Sequence, residues 1–92
     1  MDVHILKIES QYFSLVALDW KRAEIRKADR DFKVDDILIL REINDKGEFT
    51  TRLVARKITN ILKGGNYGLH LDYCMLSICP LYQKLNNQQN ED

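Results

Sequence analysis

The segment from Lys21 to Lys33 is where this sequence comes closest to chemistry. It holds six basic and three acidic side chains, in a protein whose fourteen Lys and Arg balance fourteen Asp and Glu. Arg22 to Lys27 reads as a strand. A strand puts Glu24 and Arg26 on one face, roughly 7 Å apart, with Ile25 on the other. Glu24 offers acceptors, and Arg26 a planar fork of five donors. Such a pair, with Lys21 beside it, suits a phosphate, the polar edge of a nucleobase, or both. The same residues also suit a solvated edge strand defended by charge. Glu24 as a general base needs a desolvated carboxylate, and Lys21 and Arg26 push the other way.

Other chemistries find less support. His4 and His70 are far apart, with no ligand spacing to Cys74 or Cys79, so no metal and no cofactor are expected. His4 reads as a satisfied strand histidine. The two cysteines are five residues apart, wrong for a CxxC pair. On one strand they point to opposite faces, roughly 16 Å apart, beyond disulfide reach; they read as small core residues of a reduced, cytoplasmic protein. Gly64-Gly65-Asn66-Tyr67-Gly68 lacks the Lys-Ser/Thr end of a phosphate loop and reads as a turn, whose Tyr67 can reach a neighbouring cleft as a rim. No Ser/His/Asp or Cys/His arrangement is present. Zero net charge argues against holding nucleic acid by bulk charge. The first residues, Met1-Asp2-Val3-His4, lack a signal-peptide pattern, and no apolar run approaches the roughly 20 residues of a membrane span.

The elements that must position these residues follow from pattern. Val3 to Ile8 alternates as a strand, with His4, Leu6 and Ile8 on one face. A helix runs from Ser10, a candidate N-cap, to about Leu18, with Phe13, Val16 and Ala17 as its buried stripe. A turn at Asp19-Trp20 leads into the motif strand. Asp36 to Arg41 is a continuous apolar run, expected to be buried on both sides. Asn44-Asp45-Lys46-Gly47 marks a hairpin, and its return strand runs from about Glu48 to Ile58. Tyr73 to Cys79 is the last strand, ended by Pro80; Leu81-Tyr82 extend the core slightly. The expected fold is α+β: a small, mostly antiparallel β-barrel of five or six strands, with one early helix flanking a cleft. Residues 1–82 form the domain, and 83–92 a polar, disordered tail.

The motif also carries a family resemblance. Lys21-x-x-Glu24-x-Arg26 resembles the Gly-x-Lys-x-x-Glu-x-Arg signature of the ASCH domains, a branch of the PUA-like superfamily. The likeness extends through His4-x-Leu6-Lys7-Ile8, Tyr12-Phe13, Val34-x-Asp36-x-Leu38-Ile39-Leu40-Arg41-Glu42 and Ile61-Leu62-x-Gly64-Gly65-x-Tyr67-Gly68-Leu69 to one subfamily of small bacterial and phage proteins of uncharacterised function. It covers about residues 3 to 79. Asp19 stands where the family commonly has Gly, beside an unusual Trp20, whose indole either stacks on a base or caps the helix end.

The resemblance implies a PUA-like barrel whose motif strand lines a cleft for RNA or a modified nucleoside. The ligand-binding residues it points to are Lys7, Lys21, Glu24, Arg26, Arg30 and Tyr67. A related branch hydrolyses the amide of acetylated cytidine with Lys-x-x-Thr-x-Arg. This sequence keeps Lys21 and Arg26 but has Glu24 at the Thr position. The alternative function is therefore a small amidohydrolase acting on an acylated nucleoside, with Lys21 and Glu24 catalytic. The expected partner in either case is RNA or a nucleoside-like ligand, with no membrane and no metal.

Overall fold

The computed structural model describes residues 1–81; Tyr82 and the tail 83–92 lie outside the described residues. Five strands and one helix follow in the order β1 (Val3–Glu9), α1 (Ser10–Ala17), β2 (Ala23–Lys27), β3 (Ile37–Ile43), β4 (Phe49–Lys63) and β5 (Tyr73–Cys79). They form a single sheet in the order β1-β3-β4-β5-β2. β1 lies parallel to β3 and the other three pairings are antiparallel.

β4 makes the sheet curl. Its first half pairs with β3 up to Ile37↔Lys57, and its second half pairs with β5 from Lys57↔Cys79 to Lys63↔Cys74. The register shifts between Ile58 and Asn60, and such an irregularity bends a strand and adds twist. The sheet is thus an open half-barrel. β1 and β2 are its two edges, and α1, which joins them in sequence, drops Phe13 and Val16 into the open side. The core combines these with Leu6 and Ile8 of β1, Leu38 and Leu40 of β3, Ile58 of β4, and Cys74, Leu76 and Ile78 of β5. Each fully buried Leu or Ile there contributes about 1.5–3 kcal/mol.

Several local expectations need correction. β3 is buried on one face only, through Leu38 and Leu40, while Ile37 and Ile39 are half-buried, because no second layer covers the convex side. β4 runs five residues beyond Ile58, since the register shift interrupts the alternation that would have marked it. Ala17 faces solvent, leaving a narrow helix stripe of Phe13 and Val16. Ser10 does not cap α1; Glu9 occupies the N-cap position, and the Ser10 hydroxyl donates to the Ile43 carbonyl at 2.9 Å, tying the helix start to the end of β3. Leu81 is exposed and adds nothing to the core. At Gly64, the carbonyl oxygens of His70, Leu71 and Tyr73 fill the space a Cβ would need, so only glycine lets β4 end against this loop.

Two buried carboxylates knit the β1–β3–β4 side. Asp36 is 1% exposed. It accepts the backbone N–H groups of Asp2 and Lys33, each at 3.0 Å, and His4 Nε2 at 2.8 Å. The Asp2 N–H first, and then His4, lower its pKa to about 2. Glu42, equally buried, takes a two-pronged grip from Arg52 at 2.9 and 2.6 Å and the Thr50 hydroxyl at 2.7 Å. Arg52 first, and then Thr50, lower its pKa to about 2. Nearby, the buried Arg56 donates to the Val16 carbonyl at 2.9 Å, closing the end of α1. Cys74 and Cys79 are both free, on alternate faces of β5, and burial raises the Cys74 thiol pKa.

Candidate functional site

The approach to β2 is set by how α1 stops. Asp19 N–H donates to the Val16 carbonyl and Trp20 N–H to the Leu15 carbonyl, both at 2.9 Å. This is the paired reverse bonding of a Schellman ending, which requires a left-handed residue after the helix. Asp19 fills that role with φ 64°, which Asp tolerates better than most residues. The turn therefore forms without glycine. The helix end is closed by this backbone bonding and by Arg56, and the Trp20 indole is 77% exposed, so it is no cap.

Beyond the turn, β2 pairs with β5 so that Glu24 lies opposite Leu76 and Arg26 opposite Cys74. Glu24 is 5% exposed, whereas Ile25 points outward. Lys21 Nζ donates to Glu24 Oε1 and to the Ala23 carbonyl. Arg26 reaches Glu24 Oε2 through Nε at 3.0 Å and Nη2 at 2.8 Å. The carboxylate is thus held from both sides by cations that remain partly exposed.

This triplet forms one wall of a cleft of about 520 Å³ in the opening between β1 and β2. Lys7 and Ile8 of β1, Tyr12 of α1 and Met75 of β5 also line it. Lys21 Nζ lies 5.9 Å from the Tyr12 ring centroid, within cation–π range. The volume falls in the range of roughly 300–1,000 Å³ typical of small-molecule sites.

A donor count describes what the cleft offers. Lys21 uses two of its three N–H groups and Arg26 two of its five, which leaves about four donors. Glu24 accepts three bonds, which leaves about one acceptor site. Lys7 adds a further cation, and Glu9 at the rim adds an acid. The site thus offers more donors than acceptors beside an apolar and aromatic wall.

Of the six residues expected to bind ligand, the structure brings together Lys7, Lys21, Glu24 and Arg26. Arg30 and Tyr67 are placed elsewhere. After Lys27 the chain bends away, Ala28 N–H donating to the Asp72 carbonyl at 2.8 Å. Arg30 then lines a second cleft of about 330 Å³ with Phe32, Lys63 and Cys74. Tyr67 is 93% exposed at φ 51° in the loop after β4, which the added length of that strand carries past the Lys27 end of β2. Tyr12 was not expected in the site. Its signal was a helix position next to Phe13, on the side that turns toward the motif strand. Among the described residues, no group of three metal-ligating side chains gathers, and no helix is long and apolar enough to cross a membrane.

Fold and site together define a small α+β half-barrel domain with a cleft at its open edge, lined by three cations and two carboxylates. The chain belongs to the family described as Domain of unknown function (DUF3850), which matches residues 3–78. It is also similar to the "Uncharacterized 12.9 kDa protein in GpA 3'region" of Escherichia phage P2, at 44% identity over 59 residues. That match covers 64% of this chain and 53% of the phage protein, so the chain spans about half the length of this relative.

Proposed function

We propose that this protein is an RNA- or nucleotide-binding module of the ASCH/PUA-like kind, acting in the cytoplasm, with the β1–β2 cleft holding one base or nucleotide. The observation that carries this is the clamp on Glu24. Lys21 and Arg26 fix a buried carboxylate at the wall of a cleft of about 520 Å³ and keep donors to spare. A base carbonyl or ring nitrogen accepts from those donors, the remaining Glu24 lone pair takes an amino or imino N–H, and Tyr12 offers a ring face. Lys7 at the mouth suits a phosphate.

Amide hydrolysis of an acylated cytidine is the competing reading. It needs a Lys amine free to take a proton, and Lys21 donates at once to a carboxylate and a carbonyl. The bonding favours binding over turnover. The test is calorimetric titration of the protein with nucleosides, the four ribonucleoside 5′-monophosphates, acetylated cytidine and short RNAs. Binding that falls at least about tenfold in Lys21→Ala and Arg26→Ala supports the cleft, that factor being about 1.4 kcal/mol, just under the range of roughly 1.5–3 kcal/mol for a hydrogen bond to a charged group. Release of acetate selects the hydrolase instead. No binding by any of these compounds overturns both.

A further inference from the structure

Lys7 faces two ways. It lines the cleft, and its Nζ also lies 5.6 Å from the ring centroid of Phe49. Arg41 stacks on that same ring, its Cζ 3.7 Å from the centroid. The register explains the meeting. Lys7 pairs with Arg41 across β1 and β3, and the shift between Arg41 and Ile43 brings the start of β4, with Phe49, against this row. Phe49 stays 47% exposed.

Two cations on one ring are unusual on this surface. Lys33 pairs with Asp2, Lys57 with Asp35, Arg22 with Asp19 and Arg52 with Glu42; among the described residues, Lys27, Arg30, Lys46 and Lys63 have no ion pair, and none of them lies on a ring. Among the described residues, neither Lys7 nor Arg41 has a carboxylate within ion-pair distance. Glu9 is the acid of the cleft rim and pairs in register with Ile43, two positions along from Lys7. An exposed cation–π contact contributes only about 0.5–1 kcal/mol, too little to make a second adjacent cation a structural necessity. A flat ring with stacked guanidinium, beside an unpaired ammonium, is a surface for a base and a phosphate.

We infer that the cleft continues as a track for single-stranded nucleic acid over the edge of β1, β3 and the start of β4. One base sits in the cleft, Lys7 takes the phosphate that follows, and the next base stacks on Phe49 and Arg41. This rests on the cleft reading for its first base only. The ligand class it names is an oligonucleotide of at least two residues, unpaired, because a duplex keeps its base faces stacked on one another.

The experiment titrates the four ribonucleoside 5′-monophosphates, a mixed-sequence RNA hexanucleotide, the DNA hexanucleotide of the same sequence and the RNA duplex of that sequence. The hexanucleotides are expected to bind more tightly than any monophosphate, and the duplex more weakly than the single strands. Phe49→Ala is expected to weaken hexanucleotide binding about fivefold or more, the low end for a base on an aromatic ring, with monophosphate binding unchanged. Phe49→Tyr, which keeps the ring, is expected to restore it, and Arg41→Gln to fall between. Unchanged monophosphate binding also certifies that the variants fold. If hexanucleotides bind no better than monophosphates, or Phe49→Ala weakens both equally, the track is overturned and the cleft stands. If Phe49→Ala weakens the hexanucleotides but Arg26→Ala does not, the cleft reading fails and the stacking platform stands. No binding of any probe overturns the track along with the cleft. RNA bound far more tightly than DNA assigns the contacts to the 2′-hydroxyls and RNA to the track.

Discussion

Among the described residues three carboxylates are buried, and two are built differently from the third. Asp36 and Glu42 sit on the β1–β3–β4 side and are held by groups from other elements. Asp36 joins the segment at Lys33 to β1 through His4 and the Asp2 backbone; Glu42 joins β3 to β4 through Arg52 and Thr50. Glu24 sits on the edge strand β2 and is held by Lys21 and Arg26, from its own segment. The residue opposite it on β5 is the apolar Leu76. An ion pair that spans two elements fixes their register. One that closes on itself beside a cleft fixes no neighbouring strand, and its residues line that cleft instead. Burial and charge alone do not separate the two kinds; the origin of the partners does.

The largest expected effect comes from breaking an inter-element knot. Asp36→Ala leaves the Asp2 and Lys33 amides and His4 Nε2 without their acceptor. An unsatisfied buried donor costs about 1–3 kcal/mol, so a loss of about 3 kcal/mol or more in denaturant unfolding is expected. Affinity in the cleft, measured on the fraction that stays folded, should not change. A stable Asp36→Ala protein with weakened ligand binding would reverse the assignment of the two regions.

Acid sharpens the same contrast. Asp36 and Glu42 both titrate near 2 when folded, below the range of roughly 3.9–4.3 for free side chains. The unfolded chain therefore binds more protons as pH falls through that gap, and stability falls with it. The contribution of these groups is complete above about pH 5 and is lost progressively down to about pH 2. Unfolding midpoints measured from pH 7 to pH 2 should be level at first and then drop steeply. In Glu42→Gln the drop should be shallower, because one of the two buried depressed groups is gone. An equal drop in that variant would move the acid sensitivity to other carboxylates.

The pattern of what the sequence disclosed follows the same line. The Lys21, Glu24 and Arg26 constellation was legible because its bonds run between residues two and three apart. β5 was legible because Cys74, Leu76 and Ile78 alternate without interruption up to Pro80. The Asp36 and Glu42 knots were not, since their partners lie up to 34 residues away and nothing local marks them. The parallel pairing of β1 with β3 was hidden for the same reason, and the last turn of β4 by its register shift. Arg30 and Tyr67 were misplaced because charge and a glycine loop say that a segment is exposed, not which side of the sheet it reaches. Phe49 reads as an ordinary strand start until the fold sets Arg41 and Lys7 on its ring.

A smaller effect separates two arginines that an ideal strand treats alike. Arg22 and Arg26 share parity, but Arg22 precedes β2 and pairs with Asp19 at 2.5 Å on the exposed side. Arg26→Ala should weaken nucleotide binding about tenfold, the loss of roughly one hydrogen bond to a charged group. Arg22→Ala should leave it within experimental error. Arg22→Ala should unfold near the wild-type midpoint, since surface pairs contribute about 0–1 kcal/mol, whereas Arg26→Ala should cost about 1–3 kcal/mol, because it takes two of three bonds from the buried Glu24 carboxylate. Equal losses of binding from both would leave only bulk positive charge as the explanation.

The smallest expected effect is the response to salt, and it tests how local the basic surface is. The protein carries no net charge, so on the proposed reading nucleic acid is held by whichever cations lack a carboxylate at the point of contact. Lys7 and Arg41 qualify, and the spare donors of Lys21 or Arg26 supply about one more. Binding that neutralises Z phosphates of a single strand falls with log salt at a slope near −0.7Z. Two or three contacts give about −1.5 to −2 on single-stranded RNA. The slope is read from hexanucleotide binding between low and moderate salt, and Lys7→Gln should make it shallower by about 0.7. Affinity that changes so little with salt must come from base contacts, so a monophosphate should compete for the cleft. A slope steeper than about −5 requires roughly seven contacts. This surface does not hold that many cations, and such a result would place the nucleic acid on a second basic face or across more than one copy of the chain.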